Sequence, residues 1–288
     1  MRRAPLSERA AGITQALLAV VLFSTSPVLI RWAGGVSEVE ITFWRLLLAT
    51  LTVLAIGALT RRTPNLARLP QRTFALYGVV IALHFFLYIA SLSFTSVAHS
   101  LALVYTAPLF IALLSWRVLG ERLRPRQWAG VGLGVAGTTV ISGFDPSVTP
   151  RMLIGDALAI GSAITFAIYS VTGRAQRERH TLFEYAAGVY GWGALWLLPV
   201  ALWSARTSQY TPGAAAAILG LGVGPLGTGH TLYNAALRRV PATYANLIAT
   251  LEVVGGVLLG ALLLGELPSV VALIGAAIVL LGILLVVL

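Results

Sequence analysis

Four ionisable side chains lie inside long apolar runs of this chain: Arg45, His84, His230 and Glu252. A charged group at the centre of a membrane helix costs roughly 2.5–3.5 kcal/mol on insertion scales, so each needs a chemical reason to be there. Glu252 lies about nine residues into its run, where burial disfavours the charged form. It is a candidate for taking up and releasing a proton as a substrate moves; the competing role is an acceptor that ties one helix to another. His84, beside Phe85, Phe86 and Tyr88, has three roles open to it: binding a carboxylate when protonated, relaying a proton, or packing as a satisfied core group. His230 follows a run of glycines and, like Glu252, is a candidate for proton coupling. Arg45 lies too deep to reach the interface easily. It is read as structural, with electrostatic guidance of an outgoing carboxylate as its other role. His99, Asp156 and Glu184 fall near the ends of runs and read as interfacial or capping groups.

Other chemistries lack their residues. The chain has no cysteine, which removes thiolate nucleophiles, disulfides, iron–sulfur clusters and Cys-type zinc sites together. His84, His99, His180 and His230 show no His-Glu-x-x-His or comparable spacing, so no metal site is expected. No acidic pair and no nucleophile with its base falls inside the runs, which argues against an intramembrane enzyme. There is no lysine, and hence no phosphate-binding Gly-x-x-x-x-Gly-Lys-Ser/Thr loop for ATP.

These residues must be positioned by membrane helices. With 58% hydrophobic and 10% charged residues, 288 residues cannot coat a water-soluble domain. Runs near the ~20 residues that cross a bilayer occur at 13–32, 41–59, 74–94, 98–118 and 128–141. The series repeats at 153–171, 182–203, 214–237, 243–264 and 270–288. The expected fold is an all-α integral membrane protein of ten transmembrane helices. The net charge of +10 belongs to short loops, so membrane orientation explains it and nucleic acid is not an expected partner. Sixteen of the twenty arginines fall at the amino end and in alternate loops, which places both termini in the cytoplasm. The first run, though preceded by Arg2, Arg3 and Arg9, is too long for a secretory signal and reads as an uncleaved helix.

The chain is also internally repeated. An offset of 145 pairs Gly120, Glu121, Gly130 and Gly137 with Gly265, Glu266, Gly275 and Gly282; an offset of 143 pairs Gly12, Phe23 and Arg31 with Gly155, Phe166 and Arg174. Two units follow, 1–145 and 146–288, each with five spans. An odd number of spans inserts the second unit upside down, and inverted repeats are a common build of alternating-access carriers. A channel of this size would instead need charge rings or carbonyl filters.

Here the residues resemble a known family. Thr106-Ala107-Pro108-Leu109-Phe110, continuing to Leu119-Gly120-Glu121-Arg122-Leu123, is similar to the fourth span and turn of the EamA-type drug/metabolite transporter superfamily. Ala236-Leu237-Arg238-Arg239-Val240-Pro241-Ala242, with Leu251-Glu252 and Gly265-Glu266, resembles its second repeat. Phe23-Ser24-Thr25 with Leu29-Ile30-Arg31 resembles the bacterial inner-membrane exporters of aromatic amino acids within that superfamily. The resemblance implies export of small metabolites, foremost neutral amino acids including phenylalanine, tyrosine and tryptophan and otherwise another metabolite or drug, through a central cavity with no cofactor. Tyr105, Phe166 and Tyr169 fit the aromatic-rich cavity of that subfamily. One departure is Val253, where the family often has proline; its presence removes the reason to expect a helix break in span nine.

On this reading His84, Tyr88, Tyr105, Phe166, Tyr169, Ser24 and Asn246 are the candidate substrate-binding residues: rings to stack on a side chain, hydroxyls and an amide for the head group. Pro27, Pro108 and Pro225 interrupt spans and free carbonyls of Phe23, Val104 and Leu221, so they mark helix breaks or hinges. The glycines around Pro225 suit a hinge or a close-packing face. Gly130 with Gly134, and Gly256 with Gly260, have small-xxx-small spacing, so spans five and ten read as scaffold or as the surface of a homodimer. Trp32, Trp44, Trp116, Trp128 and Trp203 read as interfacial anchors among membrane lipids.

Overall fold

The computed structural model describes residues 6–94, 97–142, 149–205, 208–264 and 269–287. No strand occurs among the described residues. The first half holds α1 (Leu6–Phe23), α2 (Ser26–Trp32), α3 (Glu38–Leu59), α4 (Gln71–Ser91), α5 (Val97–Val104), α6 (Ala107–Leu119) and α7 (Pro125–Ser142). The second holds α8 (Pro150–Gln176), α9 (Leu182–Ser204), α10 (Pro212–Leu221), a π-helix at Gly222–His230, α11 (Thr231–Leu237), α12 (Ala242–Ala249), α13 (Leu251–Leu264) and α14 (Val270–Val287). Six helical stretches are long and apolar enough to cross a membrane: Ser7–Trp32, Glu38–Leu59, Gln71–Ser91, Ser100–Leu119, Pro150–Gln176 and Leu182–Ser204. The other four expected spans are shorter or interrupted. Helices α7 and α14 have 18 residues each, about 27 Å at ~1.5 Å per residue, while 214–237 and 243–264 are broken in the middle.

The breaks share one device. Between α1 and α2, α5 and α6, and α12 and α13 stands a threonine whose hydroxyl donates to the carbonyl three residues back: Thr25 to Leu22 (2.7 Å), Thr106 to Leu103 (2.6 Å) and Thr250 to Leu247 (2.6 Å). The amide of each threonine also reaches that carbonyl, at 3.1, 3.1 and 3.2 Å, which tightens the turn. Pro27 and Pro108 follow two of these turns and open the next helix, as proline does best at a first turn. The third break corrects the expectation from Val253: the span divides at Thr250 without proline, because the threonine turn suffices. Pro225 sits inside the π-helix.

Helices α7 and α14 form a close antiparallel pair through reciprocal glycines, Gly130 against Gly282 and Gly137 against Gly275. A Cβ on Gly137 would lie 2.8 Å from the Gly275 carbonyl oxygen. Gly130 and Gly134 therefore serve packing within the chain, Gly134 facing Leu247. Most glycines of the π-helix segment are also a packing face, Gly222 against Leu48, Gly227 against Thr52 and Gly229 against Phe23.

Polar clusters fasten the two ends of the bundle. At one end, Glu121 receives the Arg174 guanidinium at 2.9 Å and the Ala242 amide at 3.4 Å, while Arg174 also donates to the Leu237 carbonyl at 2.8 Å. Arg9 reaches the Val287 carbonyl at this end, and Glu8 pairs with Arg239 at 3.0 Å. At the other end, buried Glu40 accepts hydroxyls from Ser37, Ser208 and Tyr210, joining the start of α3 to the segment before α10. Burial, with Glu40 as acceptor, pushes the Tyr210 phenol up to about 12, so it remains a donor at neutral pH. Glu184 forms a capping box with Thr181 at the start of α9, as a capping role predicts.

Gly137→Val should destabilise the protein by about 1–3 kcal/mol through overpacking. Gly132→Ala, where a Cβ meets nothing within 4 Å, should be neutral. Thermal midpoints of the purified variants in one detergent check both; equal midpoints would remove the α7–α14 seam as a determinant.

Candidate functional site

The four irregular stretches converge. Ser26 after the first break, Tyr105 at the second, Ala249 and Glu252 around the third, and His230 at the end of the π-helix all line one cavity of about 50 Å³ in the middle of the bundle. That space takes about four waters at ~10–15 Å³ each, so a substrate as large as an amino acid requires the walls to part.

One wall is aromatic. The His84 ring stacks on Phe166 with centroids 4.7 Å apart and an interplanar angle of 25°, and His230 lies 4.5 Å from Phe23 and 5.1 Å from Phe85. Such contacts contribute about 0.5–1.5 kcal/mol per aromatic pair beyond burial. His84 is fixed by α8: the Ser162 hydroxyl lies 2.9 Å from its Nδ1 and 3.0 Å from its backbone carbonyl, and Nδ1 lies 3.1 Å from the Ser162 carbonyl. An Nδ1–H donating to that carbonyl, with the Ser162 hydroxyl donating to the His84 carbonyl, satisfies every member. The ring is thereby clamped between α4 and α8 with one face in the cavity.

The other wall is polar and incompletely paired. Arg45 on α3 is 2% exposed; its Nη2 donates to Ser26 Oγ at 3.2 Å and its guanidinium carbon lies 4.2 Å from the centre of the Phe85 ring. Among the described residues its Nε and Nη1 have no hydrogen-bond partner, nor do Tyr88 OH, His230 Nδ1 and Asn246 Oδ1, all buried on residues that line this cavity. Glu252 accepts the Tyr105 hydroxyl and lies within electrostatic reach of Arg45. A buried polar group without a partner costs about 1–3 kcal/mol, more when charged. Five such atoms around one small space describe a site built for a polar guest.

Of the residues picked from sequence, the cavity gathers His84, Tyr88, Tyr105, Phe166, Asn246, Glu252 and His230. Two lie elsewhere. Ser24 donates to the Val20 carbonyl at 2.8 Å and packs against Gly255, because it precedes the turn that aims Ser26 inward. Tyr169 is one helical turn beyond Phe166, where its hydroxyl accepts from Asn234 Nδ2 at 2.6 Å and meets Tyr190 at 3.3 Å. The His99 side chain lies outside the described residues. Sequence reasoning missed Phe23, Arg45 and Phe85 as cavity residues, and chose Ser24 over Ser26 among the hydroxyls that made span one a candidate cavity wall. The signal for Arg45 was present in its depth, since no carboxylate shares its run at helical spacing.

Comparison with known proteins decides the family. Residues 10–143 and 153–288 each match the EamA-like transporter family. The chain belongs to that family. This EamA-like transporter is a multi-pass membrane protein, and it is 29% identical over 276 residues to an uncharacterized transporter of Archaeoglobus fulgidus, covering 95% of each chain. It is 28% identical over 169 residues to the aromatic amino acid exporter YddG of Ancylobacter novellus, 56% of each chain. To the threonine/homoserine exporter RhtA of Escherichia coli it is 29% identical over 229 residues, 78% of this chain and 74% of the other. A solved crystal structure superposes with a TM-score of 0.85 at 23% identity over 96% of both chains, a likeness of fold.

Tyr105→Phe removes the one hydroxyl that Glu252 accepts and should lower substrate flux several-fold, with about 0.5–1.5 kcal/mol lost in stability. Flux in reconstituted liposomes and the thermal midpoint check the two effects; unchanged flux would remove Tyr105 from the working site.

Proposed function

We propose that this transporter exports neutral amino acids, aromatic ones among them, by alternating access through the central cavity. The observation that carries the reading is the cavity itself: rings on one wall, unpaired buried polar atoms of both signs on the other. An amino acid has a side chain for the first and a charged head group for the second. The exporters YddG and RhtA, to which the chain is similar, support the substrate class.

We further propose ten spans in two inverted repeats of five. Support comes from the tandem family match and from the α7–α14 pair, in which equivalent glycines exchange partners across an apparent two-fold axis. The cavity falls on repeat-related positions, since an offset of 145 relates Leu101, Val104 and Ala107 to Asn246, Ala249 and Glu252, and 143 relates Phe23 to Phe166. Substrate sites at the midplane between repeats are the rule in carriers of this kind. The arginine distribution supports an inner-membrane protein with both termini cytoplasmic, and on that orientation the Glu121–Arg174 end faces the cytoplasm.

Uptake and efflux of radiolabelled phenylalanine, tryptophan and threonine in liposomes should be saturable. Accumulation driven by an imposed pH gradient, lost in Glu252→Gln, assigns proton coupling to that residue; saturable flux that ignores the gradient makes the carrier a uniporter. A wild-type pH profile in the variant would return Glu252 to structure, and absence of flux for every amino acid would overturn the substrate class.

A further inference from the structure

The geometry points to Arg45 as the anchor of a substrate carboxylate, opposed across the cavity by Glu252 and Asn246 as the acceptors of its ammonium, so that the site selects zwitterions. This rests on the amino-acid reading above and assigns its chemistry to residues.

Arg45 is the one cavity cation that never loses its charge under physiological conditions. Among the described residues its only hydrogen bond is the single one to Ser26, and Phe85 covers one face. Nε and Nη1, two of its three nitrogens, are buried and unpartnered. Nη2 gives one of its two protons to Ser26, and the other makes a coplanar pair of donors with its free neighbour, Nε–H on one edge or Nη1–H on the other, so one edge of the guanidinium matches a carboxylate. No protein carboxylate occupies that position: Glu252 shares the cavity, yet it takes the Tyr105 hydroxyl and forms no ion pair with Arg45. Asn246, which lines the same cavity as Glu252 from the preceding helix, adds an unpartnered amide oxygen four residues before the break at Thr250. A cation between Glu252 and Asn246 Oδ1 has two acceptors.

The polarity is one-sided. The repeat-related mates of Asn246 and Glu252 are Leu101 and Ala107, which line the same cavity and carry no charge. Carboxylate recognition therefore comes from α3 of the first repeat and ammonium recognition from α12 and α13 of the second. A bound zwitterion joins the two repeats and leaves neither protein charge unmatched. An amine leaves the Arg45 guanidinium without an anion, and a carboxylic acid lacking the amine leaves Glu252 without a cation.

The test is ligand-induced thermal stabilisation of the purified full chain in detergent, titrated with L-phenylalanine, phenylalaninamide, 2-phenylethylamine and 3-phenylpropionate. Wild type should bind phenylalanine ~10- to 100-fold more tightly than the amide or the amine, the range expected for losing a charge-assisted bond. Arg45→Lys keeps the charge but loses the fork, and should weaken phenylalanine about tenfold while leaving the amine unchanged. Arg45→Gln should erase the preference; where it does not fold, the lysine variant and the wild-type series decide. Equal wild-type affinity for phenylalanine and its amide, or an unchanged ratio in Arg45→Lys, overturns the assignment while the amino-acid reading stands. Failure of wild type to bind phenylalanine, tryptophan or threonine overturns both.

Discussion

A hydrocarbon layer offers no water to an exposed backbone group, so a membrane helix can break only where the break satisfies itself. That constraint organises this protein. Thr25, Thr106 and Thr250 each return a hydroxyl and an amide to the carbonyl three residues back, and the π-helix re-bonds the chain around Pro225. Because the four irregular stretches meet at one level, the polar groups they release are concentrated in one place. The cavity is the meeting point of the breaks, and its chemistry is what flanks them.

Repetition then explains why the site is both central and lopsided. The inverted repeat proposed above presents equivalent positions to the space between its halves, and Leu101 with Asn246, Val104 with Ala249 and Phe23 with Phe166 all line the cavity. A symmetric site would suit a symmetric ligand. Divergence has placed Asn and Glu in the second copy against Leu and Ala in the first, while Arg45 on α3 supplies the opposite charge. On the proposed reading, the repeat sets the geometry of the cavity and the opposite charges come from different halves, which orients a zwitterion.

Much of this was legible in the residues. The apolar runs marked helices, the two matching halves marked the tandem units, and the strings at residues 106–123 and 236–242 marked the family, because those signals need no knowledge of neighbours in space. His84, Tyr105, Phe166 and Glu252 were found because polar or aromatic groups at depth are rare enough to be informative. Ser24 and Ser26 were indistinguishable, being two residues apart at a turn whose direction no spacing fixes. Tyr169 was misplaced for a related reason: one helical turn from Phe166 keeps the same face but changes the depth. Arg45 was read as structural because its run, which holds no carboxylate at helical spacing, does not show what other helices bring to it; among the described residues α2, α4, α12 and α13 bring one hydroxyl and no ion pair. The break at Thr250 was missed because proline was taken as the signal, whereas the turn is made by threonine.

The two ends of the bundle bear on how such a cavity opens. Glu121 holds Arg174 and the start of α12 at one end, and Glu40 gathers three hydroxyls at the other. The carboxylates of both are buried and both clusters link the first half of the chain to the second, so neither end parts without breaking bonds between the halves. Their chemistry differs. Separating a buried ion pair strands two charges, at about 3–5 kcal/mol if one partner is lost outright, whereas hydroxyls leaving Glu40 are replaced by water at ordinary cost. The Glu40 end therefore holds the weaker closure, and a guest that pulls α3 toward α13 through its two charges acts on the very helix that Glu40 fastens. On the proposed reading, head-group binding and opening are connected through α3, the element that carries both Arg45 and Glu40.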